Sequence, residues 1–187
     1  MDRRELLKLI AIATGGVVIG GDFFLAGCKN PEAGSGVAFS ADNLSFLDEV
    51  AETILPKTNT PGAKDAELAK FMQVMVNDCY TAADQKIFHE GINKLNEACE
   101  KMHSSDFMKA STQQRTDLLT AVDKEAKDYN KNKKKEDPNH YFTMMKQLTL
   151  QGYFTSKIAL TTVIDYHAVP AKYDGAVPYK KGDKAFA

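Results

Sequence analysis

Apolar residues recur every three or four positions along most of the chain after residue 43, which is the spacing of one face of an α-helix. Five such stripes are present: Leu44, Leu47, Val50, Ala51, Ile54 and Leu55; Leu68, Phe71, Met72, Met75 and Cys79; Phe88, Ile92, Leu95, Cys99 and Met102; Leu118, Leu119, Val122 and Ala126; and Tyr141, Met144, Met145 and Leu148. A shorter final helix is expected from about Thr155 to Ile164, and no run alternates as a strand would. The pattern predicts an all-α fold, a compact bundle of about six helices.

Polar residues beside these stripes predict where several helices begin and end. Three of them can cap a helix N-terminus through a side-chain oxygen, namely Ser40, Thr81 and Ser111. Asp137 followed by Pro138 has the order of an N-cap and a first helical residue. Pro56 ends the first stripe, and Gly152 is expected to break or kink the fifth helix.

The first 28 residues have the pattern of an export signal. Basic residues, including Arg3 and Arg4, precede an apolar, glycine-rich stretch that ends in the letters LAGC. The arginine pair resembles a twin-arginine motif, which serves the export of folded cargo. The LAGC end resembles a bacterial lipobox, which implies cleavage before Cys28 and attachment of lipid to its thiol. Such an anchor would hold the chain to a membrane.

Four segments are therefore expected: a signal peptide over 1–27, a flexible tether over 28–42, a helical domain over 43–165 and an extended tail over 166–187. The tail has no helical or strand period. Prolines and glycines interrupt it, with tyrosines between them at Tyr166, Tyr173 and Tyr179. Because aromatic residues are enriched at protein interfaces, we expect the tail to wrap along a surface.

Charge and composition narrow the class of protein. The 24 Lys and Arg residues nearly balance 25 Asp and Glu residues, which argues against a nucleic-acid binder. Apolar residues make up 43% of the chain, as in ordinary globular proteins. The lysine-rich stretch 128–137 could be a basic patch for phosphate or anionic lipid, or a solvated loop; nearby acids favour the loop.

The sequence contains no arrangement that is typical of a catalytic or cofactor site. Dinucleotide, Walker, zinc-protease and covalent haem motifs are absent. Asp165 could orient His167 as a general base, but a surface or capping role is favoured for this histidine and for His89, His103 and His140. Four methionines lie on core stripes, which favours packing over metal ligation: Met72, Met75, Met144 and Met145. We therefore expect no catalytic residue, cofactor or metal in this chain.

Two cysteines of the helical part, Cys79 and Cys99, are expected to be buried and unpaired. In an antiparallel hairpin of the second and third helices they would lie about 22 Å apart at 1.5 Å per residue. A disulfide requires Cα atoms within about 7 Å, so export to an oxidising compartment does not by itself predict a bond here.

Several short stretches occur together in a family-like order. Residues 46–56 read FLDEVAETILP and are followed by TPGA at 60–63; GYFTS at 152–156 precedes DGAVP at 174–178 and GDKAFA at 182–187. Over roughly 43–187 the chain resembles the gluconate 2-dehydrogenase subunit 3 family.

The resemblance implies a non-catalytic small subunit whose chemistry lies in its partners. The usual partner is a large flavoprotein of the glucose-methanol-choline type, which holds FAD, and a cytochrome c subunit with haem c often passes electrons onward. The small subunit would aid maturation, export and anchoring of the large one at the periplasmic face of a bacterial membrane. The expected interface residues are Tyr153, Phe154, Tyr173, Gly175, Pro178, Tyr179 and Phe186.

Two other functions remain open on the sequence. The chain could be a free-standing periplasmic lipoprotein with a structural or binding role. It could also be an enzyme in its own right that uses the histidine and aspartate residues named above.

Overall fold

The computed structural model describes residues 39–169, 175–178 and 180–186. Six α-helices lie within these residues: α1 (Ala41–Ile54), α2 (Leu68–Cys79), α3 (Ala82–His103), α4 (Thr112–Asn132), α5 (Tyr141–Thr155) and α6 (Lys157–Thr162). A 3-10 turn, Lys64–Ala66, precedes α2. The described part of the chain forms no β-sheet, and its one isolated bridge joins Asp165 to Phe186. The prediction of an all-α bundle is confirmed.

The predicted capping residues begin the helices as expected. Ser40, Thr81 and Ser111 each accept a hydrogen bond from the backbone N–H three residues ahead. At Ser111 the side chain of Gln114 accepts in return from the Ser111 backbone N–H at 2.8 Å, which completes a capping box. α6 is shorter than predicted because Ser156 caps its N-terminus and the helix ends at Thr162.

α5 is the central helix of the bundle, since it contacts each of the other five described helices. At 100° per residue the buried positions of α5 cover about half of the helix: Phe142, Met144, Met145, Leu148, Thr149, Gly152 and Tyr153. The other half includes Leu150 and Phe154, which are exposed although they are apolar.

Two glycines allow neighbouring helices to approach α5 closely. α5 runs without interruption through Gly152 to its end, so the predicted break at Gly152 is wrong. A Cβ atom at Gly152 would lie 2.6 Å from the Phe71 ring of α2, and one at Gly91 of α3 would lie 2.6 Å from the Cβ of Tyr141. Close helix packing explains why no side chain is present at these positions.

The start of α5 also differs from the prediction. The helix begins three residues after Pro138, and its N-cap is His140, whose Nδ1 accepts a hydrogen bond from the backbone N–H of Phe142 at 3.2 Å. Asp137 instead accepts a hydrogen bond from the backbone N–H of Lys134 at 2.9 Å. The prediction of Asp137 and Pro138 as N-cap and first helical residue is therefore wrong, because the Asp137 side chain turns back to close the loop.

The lysine-rich stretch 128–137 is divided between helix and loop. α4 extends to Asn132, so Lys131 is helical and not part of a loop as expected. The Nζ of Lys133 donates to the carbonyl oxygen of Asp137 at 2.7 Å, and the lysines that follow it are exposed.

Two residues expected in the core lie outside it. Cys99 is buried, but Cys79 is exposed, so the prediction of a buried Cys79 is wrong. Cys79 is the last residue of α2, and the buried stripe of that helix ends at Val76. Met102, in the last turn of α3, is likewise 49% exposed. Both cysteines are free thiols in the structure, as expected.

The folded part begins before the predicted boundary at residue 43. Phe39 is buried, with its ring 4.3 Å from that of His89 and 6.1 Å from that of Phe88, both on α3. Because α1 begins at Ala41, the last residues of the predicted tether belong to the bundle. The predicted export residues Arg3 and Arg4 and the predicted lipid attachment site Cys28 lie outside the described residues.

We expect Gly91→Ala to destabilise the protein although alanine is the better helix former. The added Cβ would meet the Tyr141 Cβ, which is fixed to the α5 backbone. Overpacking costs of about 1–3 kcal/mol exceed a propensity gain of at most about 1 kcal/mol. Chemical denaturation should show the loss, whereas Asn93→Ala, at an exposed position of the same helix, should show none. Equal stability of the two variants would contradict the close packing.

Candidate functional site

The carboxylates of α1 organise the loop that follows it. Asp48 and Glu52 are one helical turn apart and so lie on the same face of α1. The Glu52 carboxylate accepts hydrogen bonds from the backbone N–H groups of Lys57 and Lys64, both at 2.9 Å. Asp48 accepts one from the backbone N–H of Ala69, in the first turn of α2, at 3.2 Å. Both ends of the loop are thereby tied to α1.

A third carboxylate on α1, that of Glu49, is the centre of an ion-pair cluster. It accepts from Arg115 of α4 at 2.6 Å and pairs with Lys64. Two further donors of Arg115 bind the carbonyl oxygens of Phe107 and Met108, at 2.9 Å and 2.7 Å. Burial raises the pKa of Glu49, but the hydrogen bond from Lys64 and the charge of Arg115 outweigh it, so that this pKa lies below its usual value.

The loop after α1 is also held against the end of α5. The hydroxyl group of Tyr153 donates to the carbonyl oxygen of Pro61 at 2.5 Å. The next residue, Gly62, lies so close to the Glu52 carboxylate that a Cβ atom there would be 2.5 Å from it. The TPGA motif is therefore fixed between the carboxylates of α1 and the last turn of α5.

An open groove of about 520 Å³ adjoins this junction, and we call it the C-terminal groove. One wall is helical and the other is the end of the tail. Two large aromatic side chains border the groove, Phe154 of α5, 46% exposed, and Phe186 of the tail, 61% exposed. The lining residues are Thr60, Phe154, Thr162, Val163, Ile164, Gly182, Asp183, Lys184, Ala185 and Phe186.

The tail wall is held by a few backbone interactions. The N–H of Asp165 donates to the carbonyl oxygen of Ala185 at 2.9 Å, which brings the tail end beside the residues after α6. A turn precedes it, in which the N–H of Asp183 donates to the carbonyl oxygen of Lys180 at 3.0 Å. Gly182 has φ of 101° within that turn, in the region that favours glycine.

The structure separates the predicted interface residues into three groups. Phe154 and Phe186 line the same groove, although they are far apart in sequence. Tyr153 is buried, so it serves the fold and we leave it out of the candidate interface. Gly175 and Pro178 are exposed but do not line the groove. Outside the described residues lie Tyr173 and Tyr179.

Sequence reasoning missed several groove residues. Val163 and Ile164 follow α6, and Thr60 belongs to the loop after α1. The apolar pair at the end of the last predicted helix was one available signal, because helix ends often lie beyond the core. Nothing in the sequence alone shows that Thr60 and residues 182–186 meet there.

The titratable residues that line the groove are Asp183 and Lys184, and no histidine lines it. His167 lies 3.4 Å from the Asp165 carboxylate, and both side chains are largely exposed rather than enclosed in a cleft. Among residues 39–169 and the described parts of the tail, no three His, Cys, Asp or Glu side chains converge as metal ligands. No helix of those residues has the length and apolar character of a membrane span.

A comparison with known families gives a match over most of the bundle. The sequence model described as gluconate 2-dehydrogenase subunit 3 matches residues 41–171. This is more than half of the 187 residues and includes the six described helices. The chain belongs to the gluconate 2-dehydrogenase subunit 3 family. No curated protein and no solved structure gave a match.

The residues that match the gluconate 2-dehydrogenase subunit 3 family contain only part of the groove lining. Its helical wall, with Phe154, Val163 and Ile164, lies within the matched residues. The tail wall at 182–186 lies beyond them. The helical wall is therefore the part of the groove that the family match covers.

We expect Glu49→Gln to lower the free energy of unfolding at pH 7 by about 2 kcal/mol, because the variant loses charge-assisted hydrogen bonds to Arg115 and Lys64. The pKa of Glu49 in the folded protein lies below its usual value of 4.5. The stabilisation that the ionised Glu49 gives is therefore complete above pH 4.5 and is lost as the pH falls through the pKa of the folded state. The stability difference between wild type and variant should therefore shrink below pH 4.5 in urea titrations. Glu67→Gln is the control, because its pair with Lys70 is exposed. A difference that grows towards acid pH would contradict this assignment.

We expect Tyr153→Phe to cost about 1 kcal/mol of stability, because the Pro61 carbonyl oxygen loses its donor at a buried side chain. Tyr129→Phe is the matched control. The hydroxyl of Tyr129 also donates to a carbonyl oxygen, that of Pro138 at 3.2 Å, but the side chain is 41% exposed and water can replace the bond. Thermal unfolding should distinguish the two variants, and equal melting temperatures would refute the role of Tyr153.

Proposed function

We propose that this chain is a non-catalytic accessory subunit of a periplasmic, membrane-associated, flavin-dependent dehydrogenase of the gluconate 2-dehydrogenase type. The observation that carries the proposal is the family match over residues 41–171, since it implies association with a larger dehydrogenase complex. In this proposal FAD belongs to the large subunit, which is of the glucose-methanol-choline type, and haem c belongs to a cytochrome c subunit where one is present.

The C-terminal groove supports a binding role for this chain. Exposed aromatic side chains are costly to leave in water and are common anchors at protein interfaces. Phe154 and Phe186 present two such side chains on either side of one groove. We propose that the large subunit binds there.

The beginning of the sequence supports the export and anchoring parts of the proposal. Arg3 and Arg4 would direct the folded chain, with its bound partner, to the twin-arginine route. Cys28 would carry the lipid that holds the complex at the periplasmic face of the membrane. The small subunit would thus help the large one to mature, carry it across the membrane and keep it there.

We expect a tagged full-length chain, expressed together with a candidate large chain, to retain a yellow protein that contains FAD. Phe154→Asp should reduce that retention about tenfold or more, because a charge would replace an aromatic anchor. The measurement is the flavin absorbance per tagged chain after purification.

Val74→Asp is the matched control, since Val74 is 55% exposed on α2 and does not line the groove. Both variants should keep the helical circular dichroism of wild type. Recovery of the wild-type chain alone and colourless would overturn the proposed function and favour a free-standing lipoprotein. Oxidation of a sugar by the isolated chain would overturn the non-catalytic role.

A further inference from the structure

The tail beside the C-terminal groove is rich in lysine: Lys184 lines the groove, and Lys180 and Lys181 lie in the turn that precedes this wall. Lys180, Lys181 and Lys184 lie within five residues of one another and are exposed. None of their ammonium groups forms an ion pair with a described residue. Elsewhere on the described surface many lysines are paired with acids of the same chain, as Lys127 and Lys146 are with Asp123.

The one acid among these lysines is occupied by the backbone. The carboxylate of Asp183 accepts a hydrogen bond from the N–H of Lys180 at 2.7 Å. This bond closes the turn at 180–183 and points the carboxylate into it. The three lysines outnumber this one acid, so the charge of residues 180–184 stays positive.

The helical side of the groove is apolar where the tail side is charged. Phe154, Val163 and Ile164 line it, and Phe186 faces the same space from the tail. A volume of about 520 Å³ falls in the range of pockets that hold several side-chain-sized groups. An apolar groove beside a lysine-rich turn is complementary to an apolar segment flanked by acids.

We propose that the C-terminal groove binds an apolar segment of the large subunit whose flanking carboxylates pair with Lys180, Lys181 and Lys184. This inference rests on the proposed function and specifies the chemistry of the partner segment. Apolar side chains of that segment fill the space between Phe154 and Phe186. The carboxylates steer the encounter and set its register on the tail.

Anionic lipid also attracts lysines, but the groove beside these lysines favours a protein. Phe154 and Phe186 border a space that apolar side chains fill, whereas a lipid headgroup would leave it open. The partner is therefore a protein segment that carries both apolar residues and carboxylates.

The test uses the full-length chain and the FAD-containing chain that co-purifies with it. Their dissociation constant is measured at 50 mM and 300 mM NaCl for wild type and for the triple variant Lys180→Glu, Lys181→Glu and Lys184→Glu. Binding of the wild type should weaken as salt rises, because salt screens exposed charges. The triple variant should bind about tenfold more weakly at the lower salt and lose most of the salt dependence.

The matched control carries the same change of charge at three other exposed lysines, as Lys131→Glu, Lys134→Glu and Lys135→Glu. Lys131 lies at the end of α4, the other two lie in the loop after it, and none of them lines the groove. This variant should bind as wild type does. Equal weakening in both triple variants would show a general charge effect and would overturn the inference.

The remaining outcomes separate this inference from the proposed function. If the wild-type chain binds no flavoprotein, both fail. If it binds the flavoprotein and the variant at 180, 181 and 184 binds equally well at both salt concentrations, only the docking chemistry fails. Binding to vesicles of phosphatidylglycerol is measured for the same two proteins. If the vesicles bind the wild type but not that variant, while the flavoprotein binds both equally, the lysines bind anionic lipid and the inference is overturned.

Discussion

The bundle depends on three carboxylates that one helix directs at the segment following it. Asp48, Glu49 and Glu52 bind backbone or ammonium groups of residues 57–69, and Glu49 also reaches Arg115 of α4. A chain that turns sharply after a helix leaves backbone N–H groups without partners, and these carboxylates supply acceptors for several of them. The direction in which α2 leaves the loop, and hence its packing on α5, follows from these contacts.

The parts of the fold that depend on neighbours in sequence could be predicted. Ser40, Thr81 and Ser111 cap their helices because a cap needs only a backbone N–H three residues ahead. The predicted break at Gly152 is wrong because the reason for this glycine lies in a contact with another helix. The Phe71 ring of α2 occupies the space where a side chain would be. The predicted N-cap at Asp137 is also wrong, because its side chain closes the turn before α5 instead of capping that helix.

The candidate site could likewise be predicted only in part. Phe154 and Phe186 were named from a family resemblance, and the structure places both on one groove. Tyr153 was named with them, but successive residues on a helix point about 100° apart, so that its ring faces the core where Phe154 faces out. Whether a residue of a central helix faces inwards depends on all the helices around it. No stripe in the sequence of α5 could settle that, because its apolar residues surround the helix.

The two walls of the groove are held by different kinds of interaction. The helical wall is joined to the core by Tyr153, which is buried and donates its hydroxyl to the Pro61 carbonyl oxygen. A ligand that binds this wall does not have to pay the entropic cost of ordering it. The opposite wall depends on the bridge at Asp165 and one short turn. Changes of sequence in that wall can alter the width and charge of the groove without disturbing the bundle. In the proposed complex, the choice of partner can therefore change through a few terminal residues while the helical bundle stays the same.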